Sequence, residues 1–257
     1  MPFASIAERK VYYEIHGQGS LVVLLHHGFG CTRMWKEICP GLIESGYRVM
    51  MYDRRGYGQS ENGEDFESFY VSDRFREESV NELSSLMKFL DEKSFHVVGQ
   101  CEGGVVGVDY AAAYPDQVRS LAISSTQCFS EISMPEFNKI KFPHSFSELD
   151  SGLRGKLIAW HGEGRAEQFF NLFRTRGGAY GTGVFDLRDT LPSVQCPALV
   201  LYPDRSFLFD VEQGVCLYRH LPAGELAVLP ACGHNTYEHR PSQYLEIVLE
   251  FLRRHSR

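Results

Sequence analysis

Closely spaced glycines around one cysteine constrain this chain more than any other stretch. The segment reads Phe95-His96-Val97-Val98-Gly99-Gln100-Cys101-Glu102-Gly103-Gly104-Val105-Val106-Gly107. Its first part is apolar and rich in β-branched residues, which predicts a buried strand. After Gly104 a run of small residues, Val105 to Ala113, reads as a helix. Gly99 and Gly103 flank Cys101 at two-residue spacing. That spacing permits a sharp strand-to-helix turn, which strains the central residue and pushes its side chain into the open.

The rest of the chain repeats the strand-then-helix rhythm. Phe3 to Ala7 and Val11 to Ile15 alternate as two strands, and Leu21 to Leu25 is a continuous apolar run. Such a run marks a strand covered on both faces. Thr32 to Ser45 predicts a helix stopped by Gly46, and Tyr47 to Tyr52 the next strand. Ser72 to Leu90 carries apolar residues at helical spacing, with Ser72-Asp73 as its N-cap. Val118 to Ser124, Ala198 to Tyr202 and Leu226 to Leu229 read as strands, and Val211 to Leu221 as a helix. Glu238 to Arg253 reads as a final helix, with Pro241 in its first turn. The alternation predicts an α/β fold with a mostly parallel sheet and helices on both faces. Functional residues then collect on loops at the carboxyl ends of the strands.

Between Thr126 and Gln195 the rhythm breaks. Aromatic residues are dense there, and a glycine-rich run extends from Gly177 to Gly183. We read residues 126–195 as a mostly helical lid inserted into a core domain formed by 1–125 and 196–257. The aromatics fit an apolar or aromatic substrate pocket and the core of the lid itself equally well.

The 257 residues suffice for one well-buried core, and the net charge of −7 argues against nucleic acid or an anionic membrane as the main partner. The N-terminal stretch has no apolar core typical of a targeting segment, so a cytoplasmic location is expected. The seven cysteines are scattered, with no C-x-x-C. A disulfide framework or a zinc site is therefore not expected, and no cofactor is called for. Cys39, Cys196 and Cys216 suit the role of small buried hydrophobes. The setting of Cys101 does not.

Gly99-Gln100-Cys101-Glu102-Gly103 is the G-x-S-x-G nucleophile-elbow pattern with cysteine in the serine position, and the chain resembles the α/β-hydrolase superfamily. Three further stretches carry the resemblance in the expected order. His26-His27-Gly28-Phe29-Gly30 resembles the oxyanion loop, with Cys31 beside it as a candidate for the pocket wall. Asp53-Arg54-Arg55-Gly56-Tyr57-Gly58-Gln59-Ser60 resembles the D-x-R-G-x-G-x-S loop, whose role is structural. Gly233-His234 resembles the histidine after the last strand. The elbow run Gly99 to Gly104 is similar to that of dienelactone hydrolase, whereas the lid and the Asp53 loop look more like the esterase and enol-lactonase branch.

The resemblance implies Cys101 as nucleophile, its thiolate favoured by the helix N-terminus, and His234 as base. It implies an oxyanion hole from the backbone N–H groups of Phe29 and Glu102. The acid is less determined. The family's usual spacing puts Ser206 where aspartate is expected, with Asp204 two residues earlier and Asp210 four later. Asp204, directly after its strand, is the first choice, and Ser206 the neutral alternative. A thiol needs less help from its base than a hydroxyl does, because its pKa is lower. Cysteine at the elbow sets aside the dehalogenases and epoxide hydrolases of this superfamily, which use aspartate there. The expected activity is cleavage of an ester, lactone or thioester through a Cys101 acyl-enzyme, with a small-molecule acyl substrate, apolar or aromatic in its acyl part, as partner and neither nucleic acid nor membrane. A biosynthetic acyltransferase or cyclase using the same acyl-enzyme, and a non-catalytic small-molecule receptor, remain alternatives.

Overall fold

The computed structural model describes residues 3–176 and 180–256. Part of the glycine-rich run, residues 177–179, lies outside the described residues. β1 (Phe3–Ile6) and β2 (Arg9–Gly17) pair antiparallel at one edge of the sheet. Next come β3 (Leu21–Leu25), α1 (Cys39–Glu44), β4 (Arg48–Tyr52), α2 (Phe66–Tyr70) and α3 (Phe75–Phe89). β5 (Phe95–Gln100), α4 (Glu102–Ala113) and β6 (Val118–Ser124) complete the first part. The cap carries β7 (Phe129–Ser133), α5 (Met134–Lys141), α6 (Ser151–His161), α7 (Glu163–Arg176) and β8 (Val184–Asp186). β9 (Ala198–Pro203), α8 (Val211–His220), β10 (Gly224–Leu229), α9 (Thr236–His239) and α10 (Pro241–Arg254) follow.

The described residues form an eight-stranded sheet in the order β1-β2-β4-β3-β5-β6-β9-β10. β2 runs antiparallel to β4, and every pair from β4 to β10 is parallel. Successive strand side chains point to opposite faces. Val22 and Leu24 therefore pack with Trp35, Leu42, Val248 and Phe251 on the α1 and α10 side. Val23 and Leu25 pack with Leu83, Leu86, Val105 and Val108 on the α3 and α4 side. This is the layered sheet predicted from the alternation. No helix among the described residues is long and apolar enough to cross a membrane.

Local departures from the predicted elements have local causes. The helix expected over Thr32 to Ser45 divides into a 3-10 turn (Thr32–Trp35) and α1, because Pro40 opens a new helix in its first turn. Pro241 likewise starts α10 afresh and separates it from α9. Ser72 does not cap α3, since its hydroxyl donates to Phe69 O at the end of α2 (2.8 Å), a short aromatic helix absent from the sequence reading. The cap also contains an antiparallel β7–β8 pair that its irregular pattern concealed.

At the turn between β5 and α4, Cys101 sits at φ +52°, in the left-handed region. Its N–H donates to Ser124 O at 2.7 Å, which ties the turn to β6. Gly103 is required by space: a Cβ there would lie 2.2 Å from Leu25 O and 2.6 Å from His26 O. Both contacts are with backbone and cannot yield cheaply. Gly103→Ala is expected to lower stability by roughly 1–3 kcal/mol, as overpacking against fixed backbone does. A chemical-denaturation midpoint unchanged from the native chain would contradict this close packing.

Candidate active site

The cap closes over the carboxyl ends of the strands and leaves a cavity of about 190 Å³, lined by Cys101, His234, Phe29, Phe142, Phe173 and Trp160 among others. A larger outer cleft of about 500 Å³ shares Lys156 and Trp160 with it. Lys156 is held there by an ion pair with Glu238 (2.7 Å). Many cap aromatics, such as Phe146, Phe169 and Phe170, form the buried core between cap and body. Phe29 enters that cluster from below, its ring 4.4 Å from that of Phe173 and 5.3 Å from that of Phe142.

Cys101 is brought to the cavity by the strained turn, and its sulfur lies 3.2 Å from the Tyr180 hydroxyl. Burial pushes the thiol up to about 12, against the Tyr180 hydrogen bond and the Glu102 N–H, which both pull it down. The resting group at neutral pH is thus a thiol. The helix N-terminus does not make it a thiolate, because desolvation outweighs those two donors. Cys31 is buried at the start of the 3-10 turn and not at the wall of this cavity.

His234 follows β10 on a loop that three other elements hold in place. Gln100 Nε2 and Ser125 Oγ both donate to His234 O, at 2.9 and 2.7 Å. Phe207 and Phe209 pack edge-on against the ring. Its Nδ1 lies 3.1 Å from Ser206 Oγ. Burial pushes the imidazole down to about 3, so the ring is neutral.

The structure does not bring Asp204 to His234. Its Oδ1 accepts the Cys232 N–H at 2.9 Å, and the Cys232 and Ala231 amides hold its carboxyl below the usual range. Asp204 therefore braces the turn leading to the histidine, and the carboxylate is spent on backbone amides. Asp210 is exposed at the N-cap position of α8. Ser206 occupies the place beside Nδ1.

The proposed oxyanion donors divide. The Glu102 N–H lies beside the Cys101 sulfur. The Phe29 N–H instead donates to His27 Nδ1 (3.0 Å), and His27 Nε2 meets the Tyr237 hydroxyl at 3.1 Å. Behind the loop, the fully buried Glu102 carboxylate pairs with Arg54 (2.7 Å) and accepts the Tyr57 hydroxyl proton (2.7 Å). Arg54 also donates to His26 O at 3.2 Å. From the cap, His161 at the end of α6 accepts the Gly58 N–H at Nδ1 (3.0 Å) and donates from Nε2 to Phe29 O (2.9 Å). The Asp53 loop thus links cap, oxyanion loop and elbow. Among the described residues no group of three or more His, Cys, Asp or Glu could hold a metal ion.

Tyr180, Gln100, Ser125 and His161 were given no role in the sequence reading. Gln100 stands at a variable position of the elbow pattern, the other three lie in no motif, and each acts across a long chain separation. A polar residue immediately before the elbow cysteine was the one available signal, for Gln100.

Five histidines are buried, and burial lowers all of them: His26 and His27 well below their ordinary value, His96 and His161 to about 4, His234 to about 3. Unfolded, each takes a proton near 6.5. Between pH 6.5 and 4 the unfolded chain therefore binds more protons, and stability falls as pH falls. The slope is up to ~1.4 kcal/mol per pH unit for each histidine. Buried Glu82, raised to about 7, opposes them over the same window, and Asp53 and Asp109, which burial also raises, act in the same direction as Glu82. Urea midpoints measured from pH 7 down to 4.5 should decline steadily. A flat profile would mean that these rings take up protons inside the fold.

Residues 21–157, more than half of the chain, match the α/β hydrolase fold family. A proline iminopeptidase of Lactobacillus helveticus is 24% identical over 293 residues, which cover 99% of this chain and 97% of the relative. The serine hydrolase BPHL of Homo sapiens is 24% identical over 258 residues, covering 95% and 83%. The solved structure of an enol-lactonase from Burkholderia xenovorans LB400 is similar at a TM-score of 0.79 and 21% identity, with 98% of this chain and 99% of that one covered. With the sheet order, the strained turn and the capped cavity in place, the match leaves one conclusion: the chain belongs to the α/β hydrolase fold family.

Proposed function

We propose that this protein is an acyl-transfer hydrolase of small molecules, with Cys101 as the nucleophile. The observation that carries the reading is Cys101, held in a left-handed strand-to-helix turn and lining the same cavity as His234. A fold of this kind spends strain at a turn where a side chain must meet a substrate. In the proposed reaction the Cys101 sulfur bonds to the carbonyl carbon of an ester, lactone or thioester. The thiol proton passes to the His234 imidazole and on to the departing alcohol or thiol. The Glu102 N–H beside the sulfur stabilises the oxyanion. Water then releases the acid, or an acceptor amine, alcohol or thiol takes the acyl group. The cavity's size and its phenylalanine and tryptophan walls suit a small, apolar acyl part. The names of the relatives support a hydrolytic reaction, and the serine hydrolase among them points to serine chemistry, so the cysteine nucleophile rests on this chain's own Cys101.

A second reading is a receptor that binds a small acyl compound without reaction. Ser206 favours it, because the site then lacks a carboxylate to hold the histidine. Intact mass spectrometry separates the two. The protein is mixed with a panel of activated esters and acyl thioesters, beside Cys101→Ala. An acyl adduct on the native chain alone is expected, and its decay with and without acceptors tells hydrolase from transferase. Absence of adduct and turnover across the panel, with binding retained, supports the receptor.

A further inference from the structure

We propose that Ser206 fixes the His234 imidazole as the tautomer with its proton on Nε2, so that the resting ring is a hydrogen-bond donor and not a base. The inference rests on the reading that Cys101 and His234 form one site. It follows from counting the bonds at a single hydroxyl. Ser206 Oγ lies 3.2 Å from the Leu208 N–H and 3.1 Å from the Phe209 N–H, both of which donate to it. A hydroxyl oxygen has two lone pairs and one proton. The two amides occupy the lone pairs, so the contact with His234 Nδ1 at 3.1 Å is made by the hydroxyl proton. Nδ1 therefore accepts. A neutral imidazole has one proton, and here it sits on Nε2.

Among the described residues the ring makes no other hydrogen bond. The Glu102 N–H and the Tyr180 hydroxyl lie beside the Cys101 sulfur, and His234, which lines the same cavity, then offers Nε2–H to a ligand there. Such a site favours a ligand presenting an electron-rich carbonyl or enolate oxygen. Proton transfer from the Cys101 thiol requires the imidazole proton to move to Nδ1 first. For that, the Ser206 hydroxyl must turn away from the ring and give up one amide. Ser206 is thus a positioning residue that restrains the nucleophile. A carboxylate in its place has lone pairs for both amides and for Nδ1–H, and it reverses the tautomer.

Nitrogen-15 NMR of histidine-labelled protein tests this, with the His234 signals assigned by comparison with His234→Gln. In the native chain Nδ1 should be pyridine-like and Nε2 proton-bearing. In Ser206→Asp the two should exchange, and acylation of Cys101 by an activated thioester should accelerate by roughly tenfold or more, as expected for a correctly poised base. Ser206→Ala, which removes the donor without adding charge, should abolish the fixed preference for Nε2–H. A proton-bearing Nδ1 in the native chain overturns the proposal, as does a Ser206→Ala protein that retains the native tautomer. The outcomes remain separable from those of the acyl-enzyme reading. The expected NMR pattern without any acyl adduct keeps the tautomer and sinks the nucleophile. An adduct on a chain with protonated Nδ1 does the reverse.

Discussion

The close approach of the β5–α4 turn to β3 is the constraint on which the rest of the site depends. With Gly103 against Leu25 O, the start of α4 lies almost on the backbone of its neighbouring strand. That approach forces Cys101 to a positive φ and turns its side chain out of the sheet. It also puts the Glu102 amide beside the sulfur and the Glu102 carboxylate behind the oxyanion loop. One backbone contact therefore sets the position of the Cys101 sulfur, an amide donor beside it and a buried charge.

The buried charge then organises the loops. Glu102 pairs with Arg54, which reaches back to His26 O, and Tyr57 donates to the same carboxylate. A buried pair of this kind is worth little compared with apolar packing, but losing one partner costs roughly 3–5 kcal/mol. Its consequence is specificity of arrangement: the Asp53 loop, the oxyanion loop and the elbow are tied together. His161 extends the tie into the cap through Gly58 and Phe29. The cap is thus joined to the carboxyl end of the sheet by hydrogen bonds as well as by phenylalanine packing.

Cys101 and His234 are both buried in the interior formed in this way. Desolvation raises the thiol and lowers the imidazole, so both are neutral at rest. Where an acid would draw a proton onto Nδ1, a serine already satisfied by two amides offers its own proton instead. In the proposed acyl-transfer reading, the elbow cysteine and the histidine share one cavity while the polarity at Nδ1 is inverted.

Much of the fold could be read from local chemistry. An apolar run such as Leu21 to Leu25 has no stable place except between two helical layers, and glycines two apart permit only certain turns. The strand-to-helix turn and the layered sheet follow from such short-range rules, whereas Gly233-His234 is marked by its resemblance to the family's histidine. Asp204 could not be judged that way. Whether a carboxylate faces an imidazole or folds back onto backbone amides depends on how the loop after β9 meets the turn after β10, 28 residues further on. Tyr180 reaches Cys101 across 79 residues, and no local pattern announces it. Backbone sterics act between neighbours and are written residue by residue. Hydrogen-bond partners, burial and proton positions arise only when distant segments share one space, and those are what give this site its neutral thiol and its serine-held histidine.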